Sequence, residues 1–105
     1  MANSPTQRSL AYLRAQGYTV AVVEKWNPYA RIRQDLWGII DILGIRKGET
    51  VGVQTTSGGN VSARVHKIAE SEHIDAIRRA GWRIVVHGWR KGKNGRYTLQ
   101  EVDCS

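Results

Sequence analysis

The sequence predicts an α/β fold in a single domain, from the order of its segments, its length and its uniform composition. Two helical segments and five strand-like segments follow one another in the order α-β-β-β-α-β-β. The 105 residues can form one modest core but not two, and no repeat or low-complexity tract divides them. Residues 1–105 are therefore expected to form one domain.

Ser4 and Pro5 predict the start of the first helix. Serine is a preferred N-cap, proline fits the first helical position, and a glutamine follows where a capping box needs it. Gly17 is a natural end for this helix. The β-branched and apolar residues 19–25 then predict the first strand, and residues 26–34, which contain an Asn-Pro pair, predict a loop.

Residues 36–45 are apolar at both even and odd positions, which predicts a second strand buried on both faces. Asp41 is the single charge within this segment. A tight turn at 47–48 should lead into a third strand at 50–56, in which Gln54 interrupts the apolar pattern.

The second half of the chain begins with a helical pattern over residues 62–80, which a cap at Ser71 would divide. Residues 83–89 and 96–102 predict two further strands, and the Asn-Gly pair at 94–95 predicts a hairpin between them. Two of the four tryptophans, Trp37 and Trp82, are expected in the core. The histidines lack zinc-site spacing with the single cysteine and are expected to be ordinary surface or partly buried residues: His66, His73 and His87.

The formal net charge of +7 favours a polyanionic partner such as nucleic acid. No apolar run is long enough to span a bilayer and no basic amphipathic helix is evident, so a membrane partner is not expected. Residues 1–8 lack an apolar signal core, and Cys104 cannot form an internal disulfide, which together suit a cytoplasmic location.

Asp41 is the first candidate for chemistry, because a carboxylate in an apolar strand is costly to bury unless it is paired, hydrogen-bonded or bound to a metal. An arginine or backbone amides could also satisfy it. Gln54 follows thirteen residues later, and adjacent antiparallel strands joined by a turn would bring the two side chains together. Both could offer oxygen atoms to Mg²⁺.

Three segments resemble the PD-(D/E)XK nucleases, and among them the archaeal Holliday-junction resolvases and VRR-NUC domains. Residues 38–43 resemble the strand that carries the family's aspartate, residues 51–56 resemble its (V/I)-E-V-K strand, and residues 14–20 resemble the exit from its first helix. The resemblance implies a restriction-endonuclease-like domain with a central mixed sheet flanked by helices. It also implies Mg²⁺- or Mn²⁺-dependent hydrolysis of DNA, branched or structured DNA included, and is compatible with a homodimer.

The chain departs from that family at three positions. Gln54 stands where the family has glutamate, Thr56 where it has lysine, and Thr6 near the place of the resolvases' helix-one glutamate. Only Asp41 of the carboxylate cluster stays in place. The departures weaken the expectation of catalysis that the resemblance brings.

Neighbouring residues could replace the missing groups. Glu24 and Asp35 flank the predicted loop and could supply carboxylates, while Lys67 on the following helix could supply an amine. Asp41, Gln54 and Glu24 are accordingly the expected metal ligands, with Asp35 and Lys67 as further catalytic candidates. The alternative is structural: Glu24 and Asp35 would pair with Arg31 and Arg33, while Arg64 and Lys67 would form a solvated face.

Basic and aromatic side chains that could hold phosphates and stack on bases form the predicted nucleic-acid surface: Trp26, Arg31, Arg33, Arg64, Arg90, Lys91 and Lys93. We therefore expect a divergent metal-dependent endonuclease acting on DNA. The alternative is an inactive nuclease-fold protein, encoded by a phage or mobile element, that binds nucleic acid or inhibits a nucleic-acid machine. A small structural protein that binds another protein is a third hypothesis.

Overall fold

The computed structural model describes residues 4–105. Its elements are α1 (Pro5–Ala15), β1 (Thr19–Val22), β2 (Lys25–Asn27), β3 (Ile32–Gln34), β4 (Ile42–Arg46), β5 (Glu49–Ser57), a 3₁₀ turn (Gly58–Asn60), α2 (Val61–Ala69), α3 (Ile74–Arg79), β6 (Arg83–Lys91) and β7 (Tyr97–Asp103). Within that range, none of the helices has the length and apolar character needed to cross a bilayer.

Five strands form a central mixed sheet in the order β1-β4-β5-β6-β7. The β5–β6 pair is parallel and the other neighbours are antiparallel. The parallel pair arises because α2 and α3 carry the chain back to the start of β6. β2 and β3 form a separate two-stranded hairpin.

The helices cover both faces of this sheet. Successive side chains of β5 and β6 point to opposite faces, so each face has apolar side chains against which a helix packs. Val85 belongs to a core cluster with Leu13 of α1, whereas Ile84 belongs to a second cluster with Ile68 of α2 and Ile77 of α3. The predicted α/β architecture with a mixed sheet is therefore confirmed.

The capping and turn signals are confirmed at several places. The side chain of Ser4 accepts a hydrogen bond from the backbone N–H of Gln7 at 3.2 Å, which caps α1. Gly17, with φ of +91°, follows the end of α1. The predicted break near Ser71 separates α2 from α3, and the turns at 47–48 and 92–96 join β4 to β5 and β6 to β7.

The predicted strand at 36–45 is wrong over its first half. Leu36 and Ile40 face each other across a tight turn in which Trp37 and Gly38 have φ of +52° and +75°. Asp41 therefore lies just before β4, not in the middle of a strand. A segment that is apolar at both even and odd positions is expected to be buried, but this pattern does not distinguish a buried turn from a strand.

The predicted loop at 26–34 is also wrong, because it contains the β2–β3 hairpin. Asn27 stabilises its tip, since its Oδ1 accepts from the backbone N–H groups of Tyr29 and Ala30 at 3.0 and 3.1 Å. Three-residue strands carry too short a pattern to be recognised from sequence.

Trp82 packs against the core as predicted, whereas Trp37 is 45% exposed. The turn conformation turns Trp37 towards the surface. His87 contradicts the expectation for the histidines, because it is completely buried in the middle of β6. Its polar neighbours come from other elements, which sequence spacing does not reveal.

Candidate metal centre

Three carboxylates from three separate segments converge at one end of the sheet. Glu24 lies between β1 and β2, Asp35 follows β3, and Asp41 precedes β4. One carboxylate oxygen from each lies within 4.8 Å of the others. We call Glu24, Asp35, Asp41 and the adjacent Gln54 the acidic cluster.

Backbone pairing fixes Asp41 between two strands. Its N–H donates to the carbonyl of Val53 at 2.8 Å, and its carbonyl accepts from the N–H of Val23 at 2.8 Å. The sheet register therefore continues past the first residue of β4. This places the Asp41 side chain next to the carboxyl-terminal half of β5.

The predicted proximity of Asp41 and Gln54 is confirmed. Gln54 Nε2 donates to Asp41 Oδ2 at 2.7 Å and to Asp35 Oδ2 at 3.3 Å. The backbone N–H of Thr55 donates to the same Asp41 oxygen at 2.9 Å. Asp41 is 3% exposed and Gln54 2% exposed, so these contacts are made away from bulk water.

One acceptor in this cluster is left unused. Gln54 Oε1 is buried and has no hydrogen-bond partner among residues 4–105. A buried polar atom without a partner costs free energy, and native structures contain few of them. The atom belongs to the same amide that joins two of the carboxylates, so turning this amide would break no hydrogen bond at Oε1.

The electrostatics of Asp41 match its position. Burial, hydrogen bonding to Asp35 and the charge of Asp35 raise the pKa of Asp41 to about 7, against the lowering effects of the Thr55 N–H and the Gln54 amide. No arginine pairs with Asp41 within the described chain, so of the structural alternatives only satisfaction by a backbone amide applies. A cation beside Asp41 would favour its charged form.

The flanking acids show contacts that fit both predictions, while their role in metal binding stays a prediction. Glu24 reaches the cluster but also pairs with Arg33 Nη1 at 2.8 Å, as the structural alternative expected. Asp35 lies 3.7 Å from Lys67 Nζ, which brings the candidate amine to the cluster. Arg31 is exposed, and no ion pair of residues 4–105 joins it to Asp35.

Open clefts on both sides of Arg33 give solvent access to two members of the cluster, Asp35 and Glu24. One has a volume of about 490 Å³ and is lined by Asp35, Lys67, Arg33 and Trp37 among others. The other, of about 460 Å³, is lined by Glu24, Arg33 and Thr6 among others. Thr6, the position that lacks the resolvases' glutamate, is therefore near Glu24.

The predicted nucleic-acid residues fall into two groups. Trp26 lies opposite Arg33 in the β2–β3 hairpin, and Arg64 lies one helical turn before Lys67 on α2. The second group, Arg90, Lys91 and Lys93, belongs to the β6–β7 hairpin. No hydrogen bond or ion pair between described residues connects this second group to the acidic cluster.

The donor atoms of the cluster fit a hard divalent cation. Carboxylate and amide oxygens are the ligands preferred by Mg²⁺ and accepted by Mn²⁺. Gln54 now presents its amide nitrogen to the acids, but a half-turn of the amide exchanges Nε2 with the unpartnered Oε1. Asp41, Asp35 and Glu24 with Gln54 could then hold one ion.

A second buried polar network lies on the α1 face of the sheet and was missed by the sequence analysis. The Ser9 side chain lies 2.9 Å from His87 Nδ1, 3.1 Å from the Thr55 hydroxyl and 2.8 Å from Trp89 Nε1. His87 Nε2 in turn lies 2.8 Å from Glu101. We call these five residues the Ser9 network.

The Ser9 network has the order of a hydroxyl, an imidazole and a carboxylate, but it is not an active site. Ser9 and His87 are both completely buried, so no substrate can reach the hydroxyl. Burial is the main cause that lowers the pKa of His87 below its ordinary value, which favours the neutral ring. A neutral ring with its proton on Nε2 satisfies both neighbours.

Comparisons of the chain with models of protein families, with curated proteins and with solved structures gave no match.

Proposed function

We propose that this protein is a divergent metal-dependent endonuclease that hydrolyses phosphodiester bonds in DNA, branched or structured DNA being the favoured form. The observation that carries the proposal is the Gln54 amide. It joins Asp41 and Asp35 while its own Oε1 stays buried without a partner. A completely structural glutamine would be expected to satisfy both ends.

The fold supports the proposal. A central mixed sheet with helices on both faces is the architecture that the resemblance to PD-(D/E)XK nucleases implies. Asp41, just before β4, and Gln54, within β5, are the residues that the sequence resemblance matches to the aspartate and glutamate of that family. Glu24 adds a carboxylate from another segment, in place of the helix-one glutamate that the resolvases have near Thr6.

A divalent cation at this cluster would supply charge stabilisation and a more acidic bound water. The residues of the chain would hold the ion and orient the substrate. Asp35 provides a carboxylate on the wall of a cleft, next to the buried Asp41, and Lys67 and Arg33 on the same cleft provide cationic groups for phosphate oxygens. Lys67 thus replaces the lysine that Thr56 has displaced.

A second candidate function is DNA binding without cleavage. The observation that favours it is that the Gln54 Nε2 group already occupies hydrogen-bonding positions on two carboxylates, while Arg33 holds Glu24. An amide and a guanidinium would then replace the cation. The net charge of +7 supports nucleic-acid binding under either candidate.

A cleavage assay with matched variants tests the proposal. Four-way junction, flap, single-stranded and duplex DNA are incubated with the protein and either Mg²⁺ or Mn²⁺. We expect cleavage of at least one form, its loss in Asp41→Asn, and its retention in Asp75→Asn, which removes an exposed acid on α3. Circular dichroism verifies that both variants fold.

Absence of cleavage with all four forms and both metals, together with metal-independent binding, would contradict the nuclease and support the binding protein. The Thr56→Lys variant then distinguishes a nuclease site that has lost its lysine from a site that never had nuclease activity. Recovery of metal-dependent cleavage in Thr56→Lys indicates a nuclease scaffold that has lost its amine.

A further inference from the structure

An aromatic pocket lies next to the proposed metal centre. It has a volume of about 190 Å³ and is lined almost entirely by apolar side chains: Trp37, His73, Ala76, Ile77, Ala80 and Trp82. Trp37 also lines the cleft that contains Asp35 and Lys67. One side chain therefore forms part of the wall of both the pocket and the cleft.

The pocket offers aromatic faces to a flat ligand. The ring of Trp37 lies 5.8 Å from that of Trp82 and 6.2 Å from that of His73, with interplanar angles of 42° and 32°. Both distances are typical of interacting rings, so the three side chains form one aromatic wall of the pocket. At about 190 Å³ the space is below the ~300 Å³ at which sites for drug-sized ligands begin, so a single ring system fits better than a whole nucleotide.

Trp37, whose ring lines the pocket, has an unfavourable backbone conformation. Trp37 has φ of +52°, in the left-handed region that bulky residues rarely adopt, and it is 45% exposed. Residues kept in such conformations concentrate at functional sites. A strained and half-exposed tryptophan at the wall between a pocket and a charged cleft suggests a contact with a ligand.

We infer that this aromatic pocket binds an unpaired nucleobase of the DNA whose phosphate lies in the adjoining cleft. The inference rests on the proposed function and assigns its substrate class, namely DNA with an extrahelical or single-stranded nucleotide. Lys67 and Arg33 beside the pocket suit the phosphates that flank such a base. Base stacking on tryptophan tolerates any base, so the pocket recognises the absence of pairing and not sequence.

The test uses two DNA hairpins that differ at one position, with 2-aminopurine either extrahelical or paired with thymine. Fluorescence is measured in EDTA, so that binding is separated from cleavage. We expect wild-type protein to quench the extrahelical probe and to bind that hairpin more tightly than the paired one. The preference should fall by roughly 5- to 100-fold in Trp37→Asn, the loss of one stacked base.

Two variants act on the pocket by different means, and a third serves as control. Trp37→Asn removes the ring and keeps a residue type that tolerates positive φ. Ala76→Leu fills the pocket and leaves both tryptophans in place. Tyr29→Asn removes another exposed aromatic ring, between β2 and β3, and should leave the preference between the two DNA hairpins unchanged.

Equal quenching and equal preference in wild type, Trp37→Asn and Ala76→Leu would overturn the inference even where Mg²⁺-dependent cleavage is intact. Pocket-dependent quenching without any metal-dependent cleavage would support the pocket and contradict the nuclease. Wild-type protein that binds neither DNA hairpin would overturn the inference, while the cleavage assay with Mg²⁺ and Mn²⁺ decides the nuclease.

Discussion

Two groups of polar side chains with buried members contact the central sheet, and they differ in how completely their hydrogen-bonding atoms are satisfied. The Ser9 network, below α1, has a partner for each ring nitrogen of His87 and for Trp89 Nε1. The acidic cluster leaves Gln54 Oε1 without a partner within residues 4–105 and gathers three carboxylates within 4.8 Å.

The two groups meet in neighbouring residues of β5. Thr55 turns its hydroxyl towards Ser9 and gives its backbone N–H to Asp41, while Gln54 points to the opposite face. A satisfied network stabilises the fold, whereas an unsatisfied group of like charges costs stability and is retained where it has a function. Stability and ligand binding should therefore respond in opposite ways to changes in the two groups.

The largest expected effect on stability is that of Ser9→Ala. This change leaves His87 Nδ1 and Trp89 Nε1 buried without their partner, which should lower the free energy of unfolding by about 2–4 kcal/mol. Urea denaturation measures the decrease. The control Ser62→Ala removes an exposed hydroxyl from α2 and should change stability by less than about 0.5 kcal/mol. Equal effects of the two changes would show that the Ser9 network contributes nothing.

In contrast to Ser9→Ala, the change Asp41→Asn is expected to raise the free energy of unfolding. The pKa of Asp41 is raised from 3.8 to about 7, so the folded protein binds this proton more tightly than the unfolded chain. The stabilisation that comes from this bound proton is complete below pH 3.8 and is lost as the pH rises to about 7. In EDTA above that pH, Asp41→Asn should be more stable than wild type by on the order of 2 kcal/mol.

Urea denaturation between pH 4 and pH 8 follows this difference, with Asp75→Asn as the control. The advantage of Asp41→Asn should grow from pH 4 to about pH 7 and then level off. His87 has the opposite pH dependence, because burial lowers the pKa of its ring. The stability that comes from its neutral ring is lost as the pH falls below 6.5. Both proteins should share that acid-side loss. A constant difference across this range would show that Asp41 does not titrate near neutral pH.

A smaller effect is expected for Gln54→Glu. The change restores the acidic residue of the PD-(D/E)XK pattern and adds one negative charge to the cluster, which should raise the affinity for Mn²⁺ about tenfold. It should also destabilise the protein in EDTA, since four carboxylates would then repel one another. Calorimetric titration measures the affinity, and Gln100→Glu on the exposed surface of β7 is the matched control. Equal affinities of the two variants would remove Gln54 from the site.

The smallest expected effect concerns the basic β6–β7 hairpin. Removing one cationic group that binds a DNA phosphate should lower the slope of log K against log salt concentration by about one, so Lys91→Ala should reduce the salt dependence of DNA binding modestly. Fluorescence anisotropy at several salt concentrations gives the slope. Arg14→Ala, an exposed arginine near the end of α1, is the control. An unchanged slope in Lys91→Ala would show that Lys91 does not contact a DNA phosphate.

Much of the fold follows from local pattern. Capping at Ser4, the turns at 47–48 and 92–96, and the apolar strands β5 and β6 each depend on a few neighbouring residues, and they were predicted correctly. The turn at 37–38 could not be predicted, because its conformation depends on tertiary packing around an apolar segment.

The candidate site was predictable where one turn connects two strands. Asp41 and Gln54 meet because β4 and β5 form a hairpin, whose register follows from the short turn between them. The position of Glu24 beside Asp35 depends instead on the path of the β2–β3 hairpin. The Ser9 network combines α1, β5, β6 and β7, so it requires the complete fold.

Calorimetric titration of Mn²⁺ into the metal-free protein tests most directly whether the acidic cluster is a cation site. Saturable binding of one ion is expected for wild type and Asp75→Asn, with no saturable binding in Asp41→Asn. Identical heats for wild type and Asp41→Asn would contradict it, because the ion would then bind elsewhere or not at all.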